Sequence, residues 1–139
     1  MREVQEETLR TQTRRTFFHD EIRSPVLVHD ITRIIAWLLT GGADRQPGGV
    51  QSSEPPWPWP LAAGTYNMGG PDRLSRADMV AAVAAHRGLP QGCVERAASA
   101  SVQRAAASPL DISMDSSRLQ AALPFALTPF ARGLDAVFA

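Results

Sequence analysis

Lysine is missing from this chain. All 14 basic residues are arginine, so no step that needs a lysine ammonium or a lysine imine can run on these residues alone. Cysteine is nearly missing too. The single Cys93 has no partner for an internal disulfide, which fits a reducing compartment and predicts a cytoplasmic location. There is no excess of either charge, because 14 acidic residues balance the arginines. A balanced chain gives no electrostatic case for nucleic acid or for an anionic membrane. Long apolar runs are lacking as well. "IIAWLL" is far too short to span a bilayer, and the charged start "MREVQEETLR" has no apolar centre of the kind a signal peptide needs.

What is present suits one domain with one core. The 139 residues are 44% hydrophobic, enough to make burial affordable and wholesale disorder unexpected. Residues 1–16 form a polar N-terminal segment, in which Val4 and Leu9 are the apolar exceptions between residues 2 and 15. Residues 17–139 read as the folded unit. A stretch at 43–60, "ADRQPGGVQSSEPPWPWP", is dominated by proline, glycine and serine and reads as an exposed, disordered insertion. Its proline-tryptophan end has the composition of a polyproline ligand for a partner domain, although a tolerated surface insertion is the simpler account.

The remaining segments alternate. "SPVLVH" at 24–29 predicts a strand buried on both faces, with Pro25 near its start. Asp30 suits an N-cap for a helix carrying Ile31, Ile34, Ile35, Leu38 and Leu39, ended by Gly41 or Gly42. "GTYNM" at 64–68 predicts a second short strand, and "GGPD" a turn. Ser75 and Asp78 then form a capping box for a helix with Met79, Val80, Val83 and Ala84 on one side, stopped at Gly88. Cys93 and Val94 suit a short strand, and residues 97–110 an irregular crossing. Asp115 caps a short helix ended by Pro124. Thr128 and Pro129 open the last one, whose apolar side is Phe130, Leu134, Val137 and Phe138. The fold class expected is therefore α/β, with too few strands for a complete sheet.

Motifs for chemistry are sparse. "YNMGGPDRLS" has two glycines after the expected strand, but neither the G-x-G-x-x-G spacing nor the lysine of a Walker loop. A turn ahead of a capped helix is the better account. His19, His29 and His86 are scattered, and no paired Cys or His spacing supports a metal. No G-x-S-x-G elbow is present. Two arginines stand out as candidate anion ligands: Arg23, at the mouth of the expected strand, and Arg104, ahead of "SPLDISMD". A guanidinium offers a planar fork suited to phosphate oxygens. A surface ion pair explains either one as well.

Three segments in order, "FFHDEIRSPVLVHDITRII", "GTYNMGGPDRLSRADMVAAVAAHRG" and "SPLDISMDSSRL", resemble the C-terminal part of extended short-chain dehydrogenase/reductases. The similarity is greatest to the dTDP-4-dehydrorhamnose reductase-like branch, which also holds the regulatory β-subunit of methionine adenosyltransferase. The resemblance spans residues 17–138. It implies the substrate-binding portion of a Rossmann-type reductase that reduces a nucleotide-linked 4-keto-sugar with NAD(P). Arg23 and Arg104 would then be substrate-binding, contacting phosphates. The family's tyrosine-lysine pair and its glycine-rich cofactor motif have no counterpart here, since Tyr66 is the lone tyrosine and lysine is absent. The chain is thus expected to lack the N-terminal dinucleotide-binding half, to bind no cofactor by itself and to be inactive alone. Its expected partners are a nucleotide-sugar ligand and either a protein partner or the absent Rossmann half. A non-catalytic regulatory module, or a fragment of an incomplete gene model, are the alternatives.

Overall fold

The computed structural model describes residues 14–41, 61–103, 106 and 108–139. Arg104 and the 43–60 insertion lie outside the described residues, as do residues 1–13 of the N-terminal segment. The described residues form a mixed α/β structure of four α-helices and two sheets of two strands each. In chain order these are β1 (Arg15–Phe18), β2 (Ile22–Arg23), α1 (Val28–Leu39), β3 (Leu74–Ser75), α2 (Arg76–His86), β4 (Val94–Ala97), α3 (Ser117–Ala122) and α4 (Phe130–Val137). A 3-10 turn at Ser99–Ser101 follows β4. Among the described residues no helix is long and apolar enough to cross a membrane.

β1 pairs in parallel with β4, Arg15 opposite Val94 through Phe18 opposite Ala97. This strand straddles the expected boundary at residue 17. β2 pairs antiparallel with β3, and on its other side Ile22 forms a parallel bridge with Asp111. The Ile22 N–H donates to Leu110 O, and Ile112 N–H to Ile22 O at 3.1 Å. Ile22 is therefore held from both sides, which fixes Arg23 and Ser24 beyond it.

α2 forms as its sequence dictates. Ser75 Oγ accepts from Asp78 N–H at 3.1 Å, and Asp78 Oδ2 accepts from Ser75 N–H at 3.1 Å, completing the capping box. At the other end Gly88 has φ +61. Its N–H donates to Ala85 O, and Leu89 N–H donates to Ala84 O. This is a Schellman close, for which glycine is the residue of least steric cost. The face between, Met79, Val80, Val83 and Ala84, is buried as the spacing predicts.

Two expected strands are not strands. Residues 24–27 are extended but make no ladder, and α1 already begins at Val28. Pro25 has no N–H to offer. Ser24 turns its hydrogen-bonding groups to other segments, and Leu27 O accepts from Asp30 and Ile31 N–H, starting the helix. Val28, expected in a buried strand, is 70% exposed. Residues 64–68 likewise make no ladder among the described residues; hydrogen bonds between side chains and backbone tie this stretch to the 115–118 segment instead. Asn67 Nδ2 donates to Asp115 O, and Arg118 donates to Thr65 O and Ala63 O.

The core consists of two clusters. Val80, Val83, Ala84, Cys93 and Leu134 join α2 to α4, with Phe17, Phe130 and Phe138 packed around them. Ile34, Leu119, Leu123 and Leu127 join α1 to α3 and the following loop, with Trp37, Tyr66 and Phe125 alongside. Among the described residues the core takes one face of α1. Ile35 and Leu39, which the helical spacing offers to the core, point outward.

Candidate functional site

Three segments distant in sequence, 17–35, 64–88 and 108–119, converge in space. The first and second cross at Gly69 and Gly70. A Cβ on Gly70 would sit 1.8 Å from Pro25 O, and one on Gly69 would sit 2.9 Å from Ser24 Cβ and 3.2 Å from Ser116 Oγ. The Gly70 contact is impossible without displacement of backbone, and the Gly69 contacts would force the neighbouring side chains to shift. The paired glycines therefore let two chain segments touch, and this close approach is their structural role. Gly70 N–H donates to Ser24 O at 3.3 Å. The third segment closes on the same point. Ser116 Oγ accepts from Gly69 N–H at 2.9 Å, across 47 positions of sequence. Ser24 Oγ accepts from Met114 N–H at 3.0 Å.

Over this crossing lies a cavity of about 300 Å³, walled by Ser24, Gly70, Pro71 and Arg73 on one side and by residues 113–117 and Gln120 on the other. Arg73 spans its edge. Its Nε donates to Ser113 Oγ at 3.1 Å, and its Nη2 forms an ion pair with Asp111. The Asp111 carboxyl is held far below the usual carboxylate range by the Ser113 hydroxyl and by Arg73, with help from Ser113 N–H. Asp115 is also lowered, by the hydroxyl and then the N–H of Ser117. The Ser117 N–H donates to Asp115 Oδ1 at 2.9 Å, so Asp115 closes the start of α3 from one residue ahead of the N-cap, Ser116.

Arg23 lies just behind, and its guanidinium is engaged. Nη1 donates to Ile22 O at 2.7 Å and reaches Leu110 O and Pro109 O at 3.4 and 3.5 Å. Nη2 lies 3.7 Å from the buried Glu21 carboxylate. Arg76 Nε approaches the same carboxylate at 2.8 Å. That contact is an ion pair without an aligned hydrogen bond. Arg23 is thus a clasp on the 109–110 backbone, with 18% of its side chain exposed. The cavity-lining arginine is Arg73, which the sequence argument did not single out. Its only signal was its position directly after the double-glycine turn.

Asp30 is not the cap of its own helix. α1 has no side-chain cap. Buried Asp30 instead accepts from Thr128 N–H at 2.6 Å and from Thr128 Oγ1 at 3.1 Å. Thr128 correspondingly caps nothing; Pro129 is the N-cap of α4, and Asp72 Oδ2 accepts from Phe130 N–H at 2.6 Å. Tyr66 donates its hydroxyl to Ala62 O at 2.9 Å and lies under Arg118, 4.3 Å from its ring. His86 faces Asp135 at 3.6 Å and packs on Phe138. Among the described residues no three of His, Cys, Asp and Glu converge to hold a metal ion.

Comparison with known proteins finds no matching protein family, curated protein or solved structure.

Proposed function

We propose that this chain is a ligand-binding module of the reductase type, resembling the substrate-binding portion of dTDP-4-dehydrorhamnose reductase-like short-chain dehydrogenase/reductases. Its ligand is a nucleotide-linked sugar. By itself it performs no hydride transfer, so NAD(P) and the catalytic pair would have to come from a Rossmann half on other residues. The observation that carries this reading is the convergence of "NMGGPDR" and "DISMDSS" on one polar cavity directly ahead of Arg23. Segments far apart in sequence are knitted there by side chains, which gives a pre-organised site at low ordering cost. On the same side of the argument, the one tyrosine is bonded to a backbone carbonyl, and no lysine exists to lower its pKa.

In this reading Arg23 and Arg104 contact the phosphates, Arg23 through the Nη2 side of its fork. Calorimetric titration with a dTDP-sugar tests it. Saturable binding that weakens in Arg23→Lys, where the charge stays and the fork is lost, supports the reading. No binding at millimolar ligand, or NADPH oxidation by the purified chain at an enzyme-like rate, refutes it.

A second reading has its own observation. Val28, Ile35 and Leu39 expose apolar side chains along one face of α1. A non-catalytic interaction module would use such a face against a partner. Ile35→Asp would then abolish a stoichiometric complex while leaving dTDP-sugar binding unchanged.

A further inference from the structure

We infer that the cavity over the glycine crossing takes a neutral, polyhydroxylated ring and not a phosphate, with Arg73, Asp115, Ser117 and Gln120 as the recognition groups. The inference deepens the module reading and rests on it for the expectation that a sugar is the ligand.

Charge decides against an anion. The one cationic group on the cavity wall, Arg73, is already paired with Asp111 and tied to Ser113. Asp115 adds a carboxylate to the same wall. A phosphate there would meet a neutralised guanidinium and an unneutralised acid, an arrangement that repels it. Hydroxyl groups face no such conflict. They donate to a carboxylate and accept from a guanidinium or an amide, so mixed-sign walls suit them. Gln120, on α3 one turn after Ser117, makes no side-chain hydrogen bond among the described residues and presents both a donor and an acceptor.

Two side chains of the wall are apolar. Pro71 and Met114 line it, and Met114 is 42% exposed. Apolar faces next to hydrogen-bonding groups match a sugar ring, which has C–H faces and a hydroxyl rim. Size agrees too. About 300 Å³ lies at the small end of ligand pockets, suited to one ring and not to a whole nucleotide. The two polar side chains that hold the walls together, Ser24 and Ser116, already accept backbone N–H bonds. That leaves Gln120 and the Nη1 side of Arg73, whose Nε and Nη2 are committed to Ser113 and Asp111, to face the ligand.

The test is amide-detected NMR on the full chain with three probes: a free hexose, inorganic pyrophosphate and ethanolamine. Saturable shifts with hexose, clustered at residues 70–73 and 113–120, are expected. Gln120→Leu, an exposed helical substitution, should weaken them about tenfold, the size of one lost hydrogen bond, with the melting temperature unchanged. Hexose shifts that are absent, that fall elsewhere or that ignore Gln120→Leu overturn the inference. So does pyrophosphate or ethanolamine acting at this cluster in place of hexose. The module reading fails separately: a dTDP-sugar that binds no tighter than free hexose removes that reading and leaves the ring site standing. A dTDP-sugar that binds tightly without touching residues 113–120 does the reverse.

Discussion

The starts of α2 and α4 are built in opposite ways. α2 is closed by residues inside its own first turn, Ser75 and Asp78, each satisfying the other's backbone. α4 has no side-chain cap of its own. Its approach is held by Asp30, 98 positions away, and its first N–H by Asp72, 58 positions away. Both solutions satisfy donors that would otherwise be orphaned. They differ in what they connect. The α2 cap stabilises a helix; the α4 caps also lock α4 to α1 and to the turn after Gly70. A local cap contributes the same whatever the rest of the chain does, whereas a remote one exists only in the assembled fold.

Substitutions can test that contrast. The largest effect is expected at Asp30, which is 1% exposed and bonds Thr128 twice. Asp30→Ala should cost about 3 kcal/mol, because a buried charge-assisted pair is lost and the Thr128 N–H is left unsatisfied. Urea titration measures it, and hydrogen exchange should show protection falling in α4 and α1 together. Asp72→Ala should cost about 1.5 kcal/mol, with exchange rising at the start of α4. Ser75→Ala should cost about 1 kcal/mol and raise exchange in α2 alone. If Ser75→Ala loosened α4 as strongly as Asp72→Ala, the division into local and remote caps would collapse.

Acid gives the smallest of these effects. The Asp78 carboxyl is lowered by the Ser75 hydroxyl and next by Arg96, whose Nη2 lies 2.7 Å from Oδ1. A carboxyl whose folded pKa is depressed stabilises the fold above its unfolded value, and that contribution fades as pH falls through the folded one. Stability should therefore drop below about pH 4. Asp78→Asn should flatten part of that drop, as thermal melts across the acid range would show. Asp20, Asp111 and Asp115 are lowered in the same direction and add to the drop with the same sign.

The contrast also explains what could be read from the sequence. The α2 capping box, the glycine stops at Gly41 and Gly88 and the Asp115 turn are local, so residue type and spacing reveal them. Asp30 looked like a cap because an aspartate ahead of an apolar helical pattern usually is one; its real partner is set by how α4 returns to α1. The valine-rich "SPVLV" resembles a strand, but no neighbouring strand arrives to pair with it. "RTFF" sits in a polar stretch and becomes a strand only because Val94–Ala97 lies beside it. At the candidate site, spacing selected Arg23, while the cavity is lined by Arg73. Nothing in the order of residues distinguishes an arginine that clasps carbonyls from one that rims a cavity. Only the crossing at Gly69 and Gly70 assigns those roles.

The parallel pairing of β1 with β4 has a kinetic consequence. Its partners are 79 positions apart, as Thr16 and Glu95 are. Closing so long a loop is entropically unfavourable until intervening structure shortens it. The expected order is α2 first, from its own cap, and β1 after it, adding little to the rate-limiting barrier. Weakening β1, by Phe17→Ala for example, should leave the refolding rate nearly unchanged and speed unfolding. The edge that joins the start of the described chain to a strand 79 positions further on thus acts as a latch on the time the protein stays folded.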